Sequence, residues 1–262
     1  MGGCKCDIYA PLKDEINLLN TKLVEEYIKE HRFDVIIHTA NYGKKDSDNP
    51  EKYLVLKNGL QMFFNIERCH DYFGKMFYFG SGAEFDSRHY IPFMKEEYFG
   101  KYIPDDPYGF YKYTLAKYTN NAENVYNLRL FGVVGKYEQR YRFISDNVCR
   151  ALQGDNLYVN QHCYFDYISV NDLTDILAWF INNTPKYKHY NICRGEHIDL
   201  YELAFMIRSK FDNRPDVILR NDGWNKEYSG DNTRLKNEMG QLAFSSYEDI
   251  INELIEFRCY SM

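Results

Sequence analysis

Lys75-Met-Phe-Tyr-Phe-Gly-Ser81 is a near-continuous apolar run that ends in the turn Gly80-Ser81-Gly82. A strand that is apolar on both sides has to be covered on both faces, as in the parallel sheet of an α/β protein. Two further runs share this character: Asp34–Ala40, DVIIHTA, and Tyr126–Val134, YNLRLFGVV. Amphipathic stretches separate them. Asn20 is placed to cap a helix whose Leu23, Val24, Tyr27 and Ile28 share one face. Residues of roughly 50–70 and Tyr108–Asn121 predict two more helices, and Phe143–Leu152 another that stops at Gly154. Asp172–Ile181, Leu200–Phe211 and Tyr247–Phe257 complete the set. This alternation predicts α/β architecture with right-handed crossovers. The polar stretch Asp86–Asp106, with Pro92 and Pro104, predicts a long loop of the kind that often carries function.

The composition agrees with a globular chain. Of 262 residues, 45% are hydrophobic and 27% charged, enough for a sizeable core. The net charge is −6 and no basic block is present, which argues against a nucleic-acid partner. The seven cysteines are odd in number and scattered, so no disulfide framework is expected. Cys4-Lys5-Cys6 has no second Cys or His pair at zinc-site spacing, and the seven histidines form no H-E-x-x-H, so no metal site is expected. No apolar run approaches the roughly 18 residues of a membrane helix, and no signal-peptide pattern is visible. These features point to the cytoplasm and to no membrane partner.

Chemistry concentrates around Tyr108-Gly-Phe-Tyr-Lys112. On a helix, positions four apart share a face, and an ammonium near a phenol favours the phenolate. A tyrosine tuned in this way can pass a proton to or from a sugar hydroxyl or carbonyl. Spacing alone does not select this pair, because Tyr9/Lys13, Tyr53/Lys57 and Tyr113/Lys117 repeat it among 25 tyrosines. Context does. Ser81 sits at the carboxyl end of a strand, where open α/β sheets bind ligands, and Tyr108 opens the helix after the proline-bearing loop.

Together these segments resemble the extended short-chain dehydrogenase/reductase family, also called the NAD-dependent epimerase/dehydratase family. Asp34–Ala40 resembles the strand that ends in a His-x-Ala step, and Asn58 the asparagine of the following helix. Phe79–Phe85 resembles the serine turn, Tyr108–Lys112 the Tyr-Gly-x-Ser-Lys motif and Leu128–Gly135 the Arg-x-x-Asn-x-Tyr-Gly strand. Phe165–Asp172 resembles Arg-Asp-Phe-Ile-x-Val-x-Asp, and Tyr190–Gly195 the later Tyr-Asn-x-Gly-x-Gly. Lys13–Asn20 is most similar to the GDP-fucose synthase branch.

The resemblance implies a Rossmann-like parallel sheet with helices on both faces, plus a small C-terminal substrate-binding α/β region. Residues 1–135 would form the cofactor-binding region and 136–262 mainly the substrate-binding region, with 164–183 returning to the Rossmann core. It implies NAD or NADP as cofactor, a nucleotide sugar as substrate and a homodimer through a four-helix contact. Ser81, Tyr108 and Lys112 would be catalytic. Lys13, Thr39, Ala40, Asn58, Gly80, Lys112, Leu130 and Arg142 would approach the cofactor, and Ser81, Gly82 and Arg150 the substrate.

The departures carry equal weight. No G-x-G-x-x-G or G-x-x-G-x-x-G is present. The chain is expected to begin at the family's second strand, around Cys6–Ala10, so that the first strand and its phosphate-binding loop have no counterpart. Gly132 replaces an asparagine, Phe165 an arginine and Tyr111 a serine, and Gly82 stands where serine or threonine is usual. Two readings follow: an NAD(P)-dependent nucleotide-sugar oxidoreductase or epimerase, and a non-catalytic binding or scaffold relative that has lost dinucleotide affinity.

Overall fold

A computed structural model describes residues 6–42 and 52–261. In chain order its strands are β1 (Val35–His38), β2 (Lys75–Ser81), β3 (Val125–Leu130), β4 (Gly132–Val134), β5 (Leu157–Val159), β6 (Tyr164–Phe165), β7 (Tyr167–Ser169), β8 (His189–Ile192), β9 (Ile198–Asp199) and β10 (Val217–Leu219). The helices are α1 (Thr21–His31), α2 (Lys52–Glu67), α3 (Pro107–Thr119), α4 (Phe143–Gln153), α5 (Val170–Asn182), α6 (Leu200–Arg208), α7 (Thr233–Met239) and α8 (Tyr247–Ser261). The chain divides into two compact units. One holds the residues up to His89 with Glu96–Leu130 and Phe180–Asn191; the other holds Tyr90–Lys95, Phe131–Trp179 and the residues from Ile192 onward.

The first unit is built on a four-stranded sheet in the order β1-β2-β3-β8. β1 pairs parallel with β2, matching His38 to Tyr78, and β2 pairs parallel with β3, matching Ser81 to Leu130. The apolar reading of β2 has a direct cause. Met76 and Tyr78 enter a core with Val24 and Ile28 of α1, Phe63 of α2 and Leu115 of α3. Phe77 points to the opposite face and meets Phe180 at 5.4 Å between ring centroids. Both faces are covered, so alternation is lost.

The helix starts follow their capping chemistry. Asn20 accepts the Leu23 N–H at 3.2 Å and opens α1. Asp106 accepts the Gly109 N–H at 2.8 Å, with Pro107 at the first position of α3. Gly154 ends α4 at φ 79°, a left-handed conformation that glycine adopts without strain. The loop Asp86–Asp106 carries short 3-10 turns and an isolated bridge at Met94, and Arg88 fastens its ends by donating to Asp86 and Asp105, each at 2.7 Å.

One expectation is corrected. Cys6–Ala10 forms no strand; Ile8 and Tyr9 are 82% and 60% exposed. A strand persists only when a neighbour takes its backbone hydrogen bonds, and no described strand lies alongside this segment. β1 therefore stands at the sheet's edge among the described residues. Cys4 and Lys5 lie outside them.

The second unit carries three two-stranded sheets: β4 with β7, parallel; β5 with β10, parallel; and β6 with β9, antiparallel. Its core joins Val148 of α4, Leu157 of β5, Ile207 of α6 and Ile251 of α8.

Close approach of α3 to the turn after β2 depends on Gly109. A Cβ there would lie 2.8 Å from the Ala83 carbonyl oxygen and 2.6 Å from a carboxylate oxygen of the capping Asp106. Gly109→Ala is therefore expected to destabilise the protein by about 1–3 kcal/mol, through overpacking that outweighs alanine's helix preference. Chemical denaturation measures it; an unchanged or raised midpoint would contradict the packing described.

Candidate active site

The site is assembled at the carboxyl ends of three adjacent strands. β1 ends at His38, so Thr39 and Ala40 emerge there, exposed. β2 ends at Ser81 and β3 at Leu130, its register partner. Ser81 is 8% exposed. Its hydroxyl oxygen accepts the Ala83 N–H at 3.1 Å and its own N–H donates to Glu84 at 3.0 Å, closing a capping box over the turn Gly82–Glu84.

α3 lays Tyr108 and Lys112 against this end of the sheet. Lys112 Nζ donates to the Phe79 carbonyl at 2.5 Å, two residues before Ser81. The ammonium also lies 5.2 Å from the Tyr111 ring centroid and 5.8 Å from that of Tyr108, within cation–π range. Lys112 is 5% exposed. Burial lowers its pKa to about 8, and the Glu84 carboxylate opposes that shift. His38 is buried nearby; burial and then the charge of Lys112 push it down to about 3, so its ring is neutral at physiological pH.

A buried polar cluster backs the serine turn. Arg129 Nε donates to Glu84 Oε2 at 2.7 Å, and Asn127 donates to both Glu84 oxygens at 3.1 and 2.9 Å. Arg129 also donates to Asn191 at 3.0 Å, whose N–H donates to Glu96 at 2.9 Å. Gly80 is required beside this cluster, because a Cβ there would collide with Asn127 and Glu84.

A family model described as the NAD dependent epimerase/dehydratase family matches residues 10–193. The chain belongs to that family. Solved structures carry the same fold. A GDP-L-fucose synthetase from Naegleria fowleri bound to NADP superposes with TM-score 0.82 at 13% identity, covering 96% of this chain and 84% of that one. UDP-glucose 4-epimerase from Thermotoga maritima with UDP-glucose gives 0.81 at 18% identity, covering 94% and 84%. GDP-mannoheptose C4 reductase from Campylobacter jejuni with NADP gives 0.81 at 17% identity, covering 96% and 89%. No curated protein gives a match.

Within this epimerase/dehydratase fold, Gly80, Ser81, Gly82, Tyr108, Lys112 and Leu130 gather in the first unit, with Thr39 and Ala40 at the end of the neighbouring strand and Asn58 buried on α2. Lys13 stands in an exposed turn. Arg142 and Arg150 lie in the second unit, where they pair with Glu138 at 3.5 Å and Asp146 at 2.7 Å.

Three features escaped the sequence reading. Glu84 was legible as the fourth residue of the capping-box pattern Ser-x-x-Glu at Ser81–Glu84. Arg129 was legible as the arginine of the Arg-x-x-Asn-type strand, but its partner Glu84 was not, and Asn127, two residues earlier on β3, had no signal beyond being polar within an apolar strand. Asn41 accepts the Tyr111 hydroxyl, joining two positions that sequence spacing leaves 70 residues apart.

These residues fit the reactive end of a nicotinamide cofactor: a buried cation, hydroxyl groups and strand ends converge there. They do not fit its pyrophosphate. The sequence offers no glycine-rich turn, and no helix N-terminus following such a turn stands beside β1 among the described residues.

The buried His38 makes a thermodynamic prediction. Its folded pKa lies below the ordinary 6.5, so the unfolded chain binds the proton first. The stability it contributes is complete above pH 6.5 and is lost as pH falls towards about 3. Between pH 7 and pH 5 this amounts to about 2 kcal/mol. His38→Gln should flatten the pH dependence of urea unfolding by that amount; an equal slope in both proteins would contradict a neutral, buried His38.

Proposed function

We propose that the chain is an NAD(P)-dependent nucleotide-sugar oxidoreductase or epimerase that works through Ser81, Tyr108 and Lys112. The observation that carries this reading is the docking of α3 on the end of β2, with Lys112 held to the Phe79 carbonyl and Ser81 fixed by its capping box. A nicotinamide cofactor, when bound, supplies or accepts the hydride. Tyr108 exchanges a proton at its phenolic oxygen with a substrate hydroxyl or carbonyl. The Lys112 ammonium stabilises the phenolate and meets ribose hydroxyls. The Ser81 hydroxyl orients the substrate oxygen. Thr39, Ala40, Asn58, Gly80 and Leu130 line the cofactor side. Lys13 is assigned towards the adenosine ribose and a 2′-phosphate, Arg142 towards the cofactor, and Gly82 and Arg150 towards the substrate, on the family resemblance.

The family's solved members support the substrate class, since their names specify GDP- and UDP-linked sugars. A homodimer through α2 and α3 is supported by an apolar groove of about 470 Å³ lined by Tyr53, Leu56, Pro104, Asp105, Pro107 and Phe110. The cytoplasm is supported by the free thiols of Cys69, Cys149, Cys163 and Cys259. Among the described residues no helix is long and apolar enough to cross a membrane.

The second reading, a non-catalytic relative, draws on the missing glycine pattern. One experiment separates the two. Folding is checked by circular dichroism, NADH and NADPH are titrated by nicotinamide fluorescence, and 4-keto sugar nucleotides are screened for turnover. The enzyme reading predicts reduction or epimerisation that Tyr108→Phe lowers by about 10²-fold or more with the fold intact. It also predicts that turnover falls above pH about 8, as Lys112 loses its proton. Cofactor binding absent in a folded chain favours the non-catalytic relative, and wild-type turnover in Tyr108→Phe removes Tyr108 from the mechanism.

A further inference from the structure

We propose that Glu84 is the positioning residue of this site: one buried carboxylate holds the backbone turn that presents Ser81 and ties that turn to β3 behind it. The inference rests on the assignment of Ser81 and Lys112 to the reacting site. Its evidence is the geometry around Glu84 itself.

Glu84, Arg129, Asn127 and Asn191 are all fully buried. A lone carboxylate in such surroundings is costly, and its retention requires partners on every side. Glu84 has them. Oε1 accepts the Ser81 N–H at 3.0 Å, Oε2 accepts Arg129 Nε at 2.7 Å, and Asn127 Nδ2 spans both oxygens. The side chain thereby ties the first residue of the turn to the middle of β3. Asn127 in turn lies 3.3 Å from His189 Nδ1, and His189 Nε2 lies 2.7 Å from Asn120 at the end of α3. The clamp thus reaches three strands and the helix that bears Tyr108.

The same carboxylate acts to keep the Lys112 ammonium protonated, against the burial that lowers its pKa.

Paired variants test this without leaving Arg129 buried beside a lost carboxylate, and the measurement is amide hydrogen exchange at Ser81. In E84Q/R129M the amide oxygen still accepts from the Ser81 N–H, and Ser81 is expected to stay protected. In E84M/R129M the acceptor is lost, and Ser81 exchange accelerates by at least about tenfold. An unchanged Ser81 exchange rate in E84M/R129M, or equally accelerated exchange in both paired variants, overturns the proposal. So does a wild-type Ser81 amide that exchanges as fast as an unstructured peptide, a result that needs no variant to fold. None of these readouts uses turnover or cofactor, so a failed functional reading and a failed role for Glu84 are told apart.

Discussion

Lys112 Nζ donates to the Phe79 carbonyl at the carboxyl end of β2, and most of the first unit can be understood as the set of conditions for that contact. A lysine this deeply buried carries a desolvation penalty that close acceptors, rings and counter-charge offset. Bringing its ammonium to the sheet requires α3 to lie almost on the turn after β2. That approach requires glycine at position 109 and a helix start fixed by Asp106 and Pro107. The turn must hold still to receive the helix. The Ser81–Glu84 capping box and the ion pair from Glu84 to Arg129 hold it. Packing, capping and electrostatics therefore converge where the Lys112 ammonium meets the carboxyl end of β2.

The same physics explains the site's asymmetry. The residues proposed for the reactive end of a nicotinamide cofactor are carried by β1, β2, β3 and α3, which pack on one another. What would serve the pyrophosphate, a glycine turn running into a helix, has no counterpart in the sequence. Among the described residues Cys6–Ala10 has no strand beside it and stays exposed instead of joining the sheet. Among them β1 is an edge, and its carboxyl end opens to solvent at Thr39 and Ala40.

Much of this was legible from residues alone, and the reasons are local. β2 read as a doubly covered strand because Met76 and Tyr78 on one side and Phe77 on the other all needed burial. α1 and α4 announced themselves through Asn20 and Gly154, whose capping is a matter of adjacent atoms, while α3 starts one residue before the expected Tyr108, with Asp106 as its cap. Ser81, Tyr108 and Lys112 were separable from three other tyrosine–lysine pairs only by their order after a strand end. What sequence did not show was non-local. Asn127 and Arg129 became meaningful once β3 was paired with β2 and placed behind Glu84. The strand expected at Cys6–Ala10 failed for the converse reason, since a strand depends on a neighbour that its own residues do not supply.

The claim that this chain builds the reactive end of a nicotinamide site is tested most directly by saturation-transfer nuclear magnetic resonance with NADPH and the folded wild-type protein. The account predicts that saturation passes most strongly to the nicotinamide and its ribose protons, where Lys112, Ser81 and Tyr108 converge, and least to adenine. Strongest transfer to the adenine protons, or none to any proton of the cofactor, would contradict it.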